Sequence, residues 1–247
     1  MKIRNVIIAL IVVVLAVAGG AFAFLTITAG DGEASQDISE VAGQIEEAGE
    51  GTLLRIDGTQ SEARFELEED LRGERITVVG TTDQVGGDIV INFADPALSE
   101  VGTITINART IATDNNFRNQ ALRGQILKSA QDQYEFVTFA PTELTGLPEA
   151  ITTGETYTFQ IIGDLNILDV TESVTFDAEV TIVSETEITG TASTSVLWAD
   201  YGIAIPSVPG VANITDDVAL IIDFVAVPPA EGEMDTDEAE ATEEAGE

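Results

Sequence analysis

The 247 residues carry 44 acidic against 10 basic side chains, a formal charge of -34, so a phosphate backbone is repelled and nucleic acid is excluded as a partner. The chain has neither Cys nor His, which removes disulfides, thiolate or imidazole metal sites, Cys nucleophiles and His-based triads together. The missing Cys also rules out a lipidated cysteine anchor.

Lys2 and Arg4 precede an apolar run from Val6 to Ile27, and Asp31 and Glu33 follow it. Positive flank, apolar body and acidic exit define an export signal. The run is close to the ~20 residues a bilayer-spanning helix needs, so residues 1–28 are expected to form an uncleaved membrane anchor. A cleavable signal peptide is the competing reading, since Ala21-Phe22-Ala23 has the form of a cleavage site. Either way the rest of the chain is expected outside the cytoplasm, tethered to the outer face of the membrane, periplasmic or secreted. Residues 29–51 are rich in Gly, Ala, Ser, Glu and Asp with no aromatic residue, the composition of an acidic flexible linker.

A folded domain is expected over 52–227. Leu53, Leu54 and Ile56 open it, and Ala63, Phe65 and Leu67 alternate with Arg64, Glu66 and Glu68. Further apolar runs follow at Ile76–Gly80, Ile89–Phe93 and Ile104–Ile106. Phe117, Ala121, Leu122 and Ile126 lie three to five apart, which predicts one short helix within 114–128, with Asp114 at its start. Strands return at Phe136–Phe139. The clearest pattern comes next: Tyr157, Phe159, Ile161, Leu165 and Ile167 alternate with polar residues, then Val174, Phe176, Ala178, Val180 and Ile182 do the same, then Ile188, Ala192, Val196 and Trp198. A two-residue period is a strand with one dry face, and three such runs on short polar links form an antiparallel meander. The polar stretch Asp169–Ser173 is expected to separate the first two. Val218, Leu220, Ile222 and Phe224 close the domain. Residues 228–247 form an expected disordered tail, with nine acids and no base from Glu231 onward.

About eight antiparallel strands with one dry face cover that face by packing on a second sheet or by closing into a barrel. An eight-stranded barrel is filled by side chains or holds one small ligand. The dry face is nearly free of charge, so a cavity inside it would suit a hydrocarbon chain, worth roughly 0.8 kcal/mol per buried methylene. A filled barrel serving as a ligand-free extracellular structural or interaction module is the alternative.

Several segments together resemble the YceI-like family of exported, lipocalin-like proteins. They are Ser61–Leu67; Asn107-Ala108-Arg109-Thr110-Ile111-Ala112-Thr113-Asp114-Asn115-Asn116 with Phe117–Arg123 after it; Gln133–Phe139; Gly163–Thr171; and Asp200-Tyr201-Gly202-Ile203. The resemblance spans about 52–227 and rests on order and spacing. It implies an all-β, antiparallel, lipocalin-like barrel whose long apolar cavity holds a polyisoprenoid or similar lipid, for transport or storage. The chain departs from the family pattern where a His is common, with Ala121 in the helix segment and Leu168-Asp169 in the later turn.

Candidate ligand-binding residues follow from both lines. Phe136, Phe159, Ile161, Phe176 and Val180 are dry-face positions for the cavity wall, and Trp198 is a core or ligand-contacting aromatic. Arg118 and Arg123 are rare cations that either meet a phosphate or quinone-like head or pair with nearby acids. No nucleophile elbow, phosphate loop or dinucleotide fingerprint occurs. No enzyme activity, catalytic residue, metal or cofactor is therefore expected, and the expected partners are an isoprenoid or other long-chain lipid and the membrane.

Overall fold

A computed structural model describes residues 30–46 and 48–230. The predicted leader and the acidic stretch from 231 lie outside the described residues. Among the described residues no helix is long and apolar enough to cross a membrane.

Thirteen strand segments occur in chain order among the described residues: β1 (Thr52–Ile56), β2 (Glu62–Leu71), β3 (Glu74–Thr82), β4 (Val85–Gly86), β5 (Asp88–Ile91), β6 (Glu100–Val101), β7 (Ile104–Asn107), β8 (Phe136–Thr145), β9 (Thr156–Ile167), β10 (Val170–Ser184), β11 (Glu187–Leu197), β12 (Val211–Ala212) and β13 (Asp217–Val227). Eight are five residues or longer, and the runs at Ile89–Phe93 and Ile104–Ile106 form the four-residue strands β5 and β7. All pairings are antiparallel and belong to one curled sheet ordered β4-β7-β8-β9-β10-β11-β13-β1-β5-β6, with β2 carrying β3 and β12.

The last strand organises the wall. β13 pairs with β11 along its whole length. On its other side it pairs with β2 from Ala219 to Asp223 and with β1 at Ala226 and Val227. Gly87 joins the first strand of that order to the next-to-last: β4 before it pairs with β7, β5 after it pairs with β1, and the Ile56 amide donates to the Gly87 carbonyl. The dry faces of β1, β2, β8, β9, β10, β11 and β13 turn toward a shared interior, where Leu54, Leu165, Ile188 and Ala226 are fully buried. Asp164, Asp177 and Glu179 alternate with that face and lie in solvent, as a period of two requires.

Three expectations need correction. β10 does not wait for Val174. It starts at Val170 and pairs with β9 across Leu168-Asp169, from Val170 opposite Ile167 onward. The backbone ladder continues past the point where the facing side chains turn polar, and hydropathy does not report that. The short helix lies within 114–128 as expected, but its cap is not Asp114: α2 (Asn116–Ala121) is capped by Asn115, whose side chain accepts from the Phe117 and Arg118 amides, and runs into a π turn over Leu122–Ile126. Asp114 takes the Arg118 side chain instead, at 2.8 Å.

The stretch read as a free tether lies against the wall. A short helix, α1 (Ile38–Val41), buries Ile38, and Ala42 is buried just after it. Two buried carboxylates hold the backbone on either side. Glu135 accepts from the Ser35 amide (2.8 Å) and Asp88 accepts from the Ile45 amide (2.9 Å). Each is itself tied down, Glu135 by Asn107 (2.9 Å) and Arg109 (3.0 Å), Asp88 by Arg55 (2.8 Å). Composition shows little apolar surface here; it does not show that the wall supplies acceptors for the segment's amides.

Candidate functional site

The interior is divided into two apolar chambers that follow one another along the strands. On β9, Tyr157, Phe159 and Ile161 line the first, and Leu165 and Ile167 the second. On β13, Phe224 faces the first and Val218 and Leu220 the second. Phe139, Phe176 and Ile222 line both, and so form the partition. The Phe139 and Phe176 rings meet with centroids 4.8 Å apart, tilted by 57°, within the range of favourable edge-on packing. Gly163 leaves space for the Phe139 ring, because a Cβ there would stand 2.7 Å from it.

The first chamber has a volume of about 100 Å³ and is covered at one end by Leu147, Pro148 and Ile151 from the β8–β9 connection. The second, about 150 Å³, is covered by Leu122, Ile126 and Leu127 from the helical segment and by Ile203 and Ile205. An apolar cavity near 150 Å³ accommodates one small ring. A long chain therefore has to widen these chambers and cross the partition.

Of the residues picked out from sequence, Phe159, Ile161, Phe176 and Val180 line the first chamber and Trp198 lines the second. Trp198 belongs to a 3-10 turn, Trp198–Tyr201, rather than to β11, and its indole N–H donates to the Thr215 carbonyl at 3.0 Å. Phe136 lines neither chamber. It lies three residues from Phe139 on β8, and an odd separation within a strand puts the two on opposite faces; Val137 takes the inward position. Arg118 and Arg123 also line neither chamber. Arg118 is engaged by Asp114 and by Glu69 at 2.9 Å. Arg123 packs beside Gly32, where burial draws its pKa down against the opposing pull of Asp31.

Sequence reasoning missed Phe139, Ile222 and Tyr201 as lining residues. Tyr201 is 2% exposed, lines the second chamber, and its hydroxyl has no hydrogen-bond partner. Burial pushes that hydroxyl up to about 12, with Glu172 and Asp200 adding in the same direction. The other polar members of this wall are engaged: Trp198 as described, and Arg64 with Asp223 and with Glu66 at 3.1 Å.

An antiparallel β-wall curled round a hydrocarbon interior is the architecture of a lipocalin-like protein. More specifically, the chain matches the YceI-like domain over residues 54–226 and belongs to the YceI-like family. It is similar in structure to a polyisoprenoid-binding domain from Saccharophagus degradans implicated in plant cell wall breakdown, with 17% identity and a TM-score of 0.53 over 71% of this chain and 98% of that one. It is also similar to BcnA of Burkholderia cenocepacia, with 15% identity and a TM-score of 0.55 over 70% of this chain and 99% of that one. No curated protein matches the chain significantly in sequence.

Proposed function

We propose that the protein is a lipid binder rather than an enzyme. In this reading it encloses a polyisoprenoid or similar long apolar molecule within its curled sheet, for transport or storage outside the cytoplasm. The observation that carries the reading is the pair of apolar chambers in line, parted only by Phe139, Phe176 and Ile222. Family membership supports it, and the polyisoprenoid binding of the Saccharophagus relative is what one structural neighbour is described as doing. Binding would come from burial of the chain, at roughly 0.8 kcal/mol per methylene, less the cost of displacing the partition.

Tethering by the apolar run 6–27 fits this role, since a membrane-soluble ligand would then move a short distance. Gly30 lies beside Ala130, and Gly32 beside Arg123 of the turn that covers the second chamber. The chain thus joins the body near that chamber. The small chamber volumes favour the competing reading of a ligand-free module, and one experiment separates the two. Full-length protein purified from its host under non-denaturing conditions should carry an extractable lipid in intact-complex mass spectrometry. Protein that emerges empty and takes up no added isoprenoid quinone would overturn the lipid reading.

A further inference from the structure

With the run Val6–Ile27 as the proposed anchor, three Cα steps of about 3.8 Å separate its last residue from Gly30. Gly30 then stands within roughly 11 Å of the hydrocarbon edge, of which the head-group layer takes up roughly 5–8 Å. Gly30 lies beside Ala130 and Gly32 beside Arg123, and buried Glu135 holds the Ser35 amide at 2.8 Å. Little slack is left by which the body could stand clear of the lipid. From Ser35 the segment runs away along the wall: Ala42 lies against Gly86, and the Ile45 amide meets Asp88, where Ile89, Val90 and Ile91 line the first chamber. The first-chamber end thus points away from the anchor. The end built from α2, the π turn and the β2–β3 tip lies nearest to it.

The side chains of that end suit a lipid surface. Phe117 on α2 is 67% exposed, and Arg118 beside it is bonded to Glu69 near the β2–β3 tip at 2.9 Å. Val208, 48% exposed, belongs to the turn that meets the same tip, where the Arg72 amide donates to the Gly210 carbonyl at 2.7 Å. Of the eight cations that follow the apolar run, five (Arg72, Arg75, Arg118, Arg123 and Lys128) lie on the helical segment or the tip. Arg72 and Lys128 are exposed and form no ion pair among the described residues. Both are held out at corners with φ of 55° and 53°, backbone that favours glycine. In a chain this acidic, the face that gathers the cations is the one least repelled by anionic head groups.

We infer that this end of the body rests on the outer lipid surface, with Phe117 and Val208 seated among the head groups. An apolar side chain half or more exposed gains from that position, and a neighbouring cation adds to it. The inference rests on the membrane anchor proposed above and not on the identity of any enclosed ligand. It turns Leu122, Ile126 and Leu127, which cover the second chamber, toward the bilayer. Exposed apolar side chains also occur toward the first chamber, at Leu98 and Val183, so exposure alone does not choose between the ends. The point of attachment does.

The chain has no Cys, so single cysteines introduced as Gln125→Cys, Val208→Cys, Leu98→Cys and Val183→Cys, all at exposed positions, can each carry one fluorophore. Full-length protein is reconstituted into vesicles of phosphatidylcholine and phosphatidylglycerol, and spin-labelled lipids serve as quenchers. Labels at 125 and 208 should be quenched and those at 98 and 183 should not. Phe117→Ser should lower the ratio of docked to undocked bodies, read from the label at 208, by roughly 5- to 30-fold, and Phe117→Trp should keep it. Four labels quenched alike, none quenched, or a ratio indifferent to Phe117→Ser would overturn the inference, as would a body found free of vesicles with its leader cleaved. Uptake of geranylgeraniol by the same preparations is measured alongside. Uptake without selective quenching overturns the inference alone, whereas selective quenching without uptake supports the contact and removes the lipid reading.

Discussion

Replacing Phe139 with Ala tests whether the two chambers are parts of one tube. The ring is buried to 4% exposure and forms the partition with Phe176. Its removal from the empty protein should cost about 3–5 kcal/mol, the transfer energy of the ring plus the void it leaves. At about 2–4 °C per kcal/mol for a domain of this size, the melting temperature should fall by roughly 6–20 °C. A long prenyl chain should reverse part of that loss. In the natural protein the chain has to displace the ring; in the variant it fills the void, gaining roughly 0.8 kcal/mol for each methylene placed there. Ligand binding stabilises by RT ln(1 + [L]/Kd). The gap in melting temperature between variant and natural protein should therefore narrow as geranylgeraniol is added, and should not narrow with isopentenol, which fits one chamber. Thermal scans across a ligand series measure both. A gap that stays constant with the long alcohol would mean that no chain crosses the partition, and the tube would have to be given up.

Other perturbations address the supports of that interior. Gly163→Ala places a methyl group 2.5 Å from the Ala140 carbonyl and 2.7 Å from the Phe139 ring, so it should cost about 1–3 kcal/mol through overpacking, and a urea midpoint equal to that of the natural protein would show that the ring has room to retreat. Arg55→Met strands Asp88, 1% exposed, with only the Ile45 amide. It should cost about 3–5 kcal/mol, most of it restored when Asp88→Asn is added; a single-variant loss under about 1 kcal/mol in urea unfolding would refute the pair's role. At Glu135, burial works to raise the pKa, but hydrogen bonds from Ser35 and Asn107 and the charge of Arg109 outweigh it and leave it lowered. A depressed carboxyl contributes stability above the unfolded-state value of about 4.3 and loses it as pH falls through the folded value. Residues 30–46 should consequently release from the wall below about pH 4, seen as lost amide-exchange protection there before the strands lose theirs. Protection retained to about pH 3, after correction for intrinsic exchange rates, would show that Glu135 is not the clasp.

The parts of the fold legible in the sequence are those that a period of two encodes. Phe159, Ile161, Phe176 and Val180 share a face because alternate residues of a strand must, and that face is the chamber wall. The same rule sets Phe136 and Phe139 on opposite faces, which is why Phe139 lines the chambers and Phe136 does not. Other features have no one-dimensional signature. The partition needs β8, β10 and β13 brought to one level, and nothing in the spacing of Phe139, Phe176 and Ile222 announces that they meet. The clasp on residues 30–46 needs two carboxylates, one in β5 and one just before β8, to be buried beside amides that precede them by 43 and 100 positions.

The scarcity of cations made Arg118 and Arg123 conspicuous as head-group ligands, and the same scarcity accounts for where Arg118 ends up. Where 44 acids surround 10 bases, an arginine near the wall meets carboxylates before anything else: Arg118 holds two, and Arg64 and Arg75 each hold at least two. Such pairing offsets self-repulsion, and the only cation lining either chamber among the described residues is Arg64, itself held by carboxylates. A dry face built this way discriminates against charged ligand ends through desolvation alone. The acidic exterior and the apolar chamber linings thus belong to one distribution of charge.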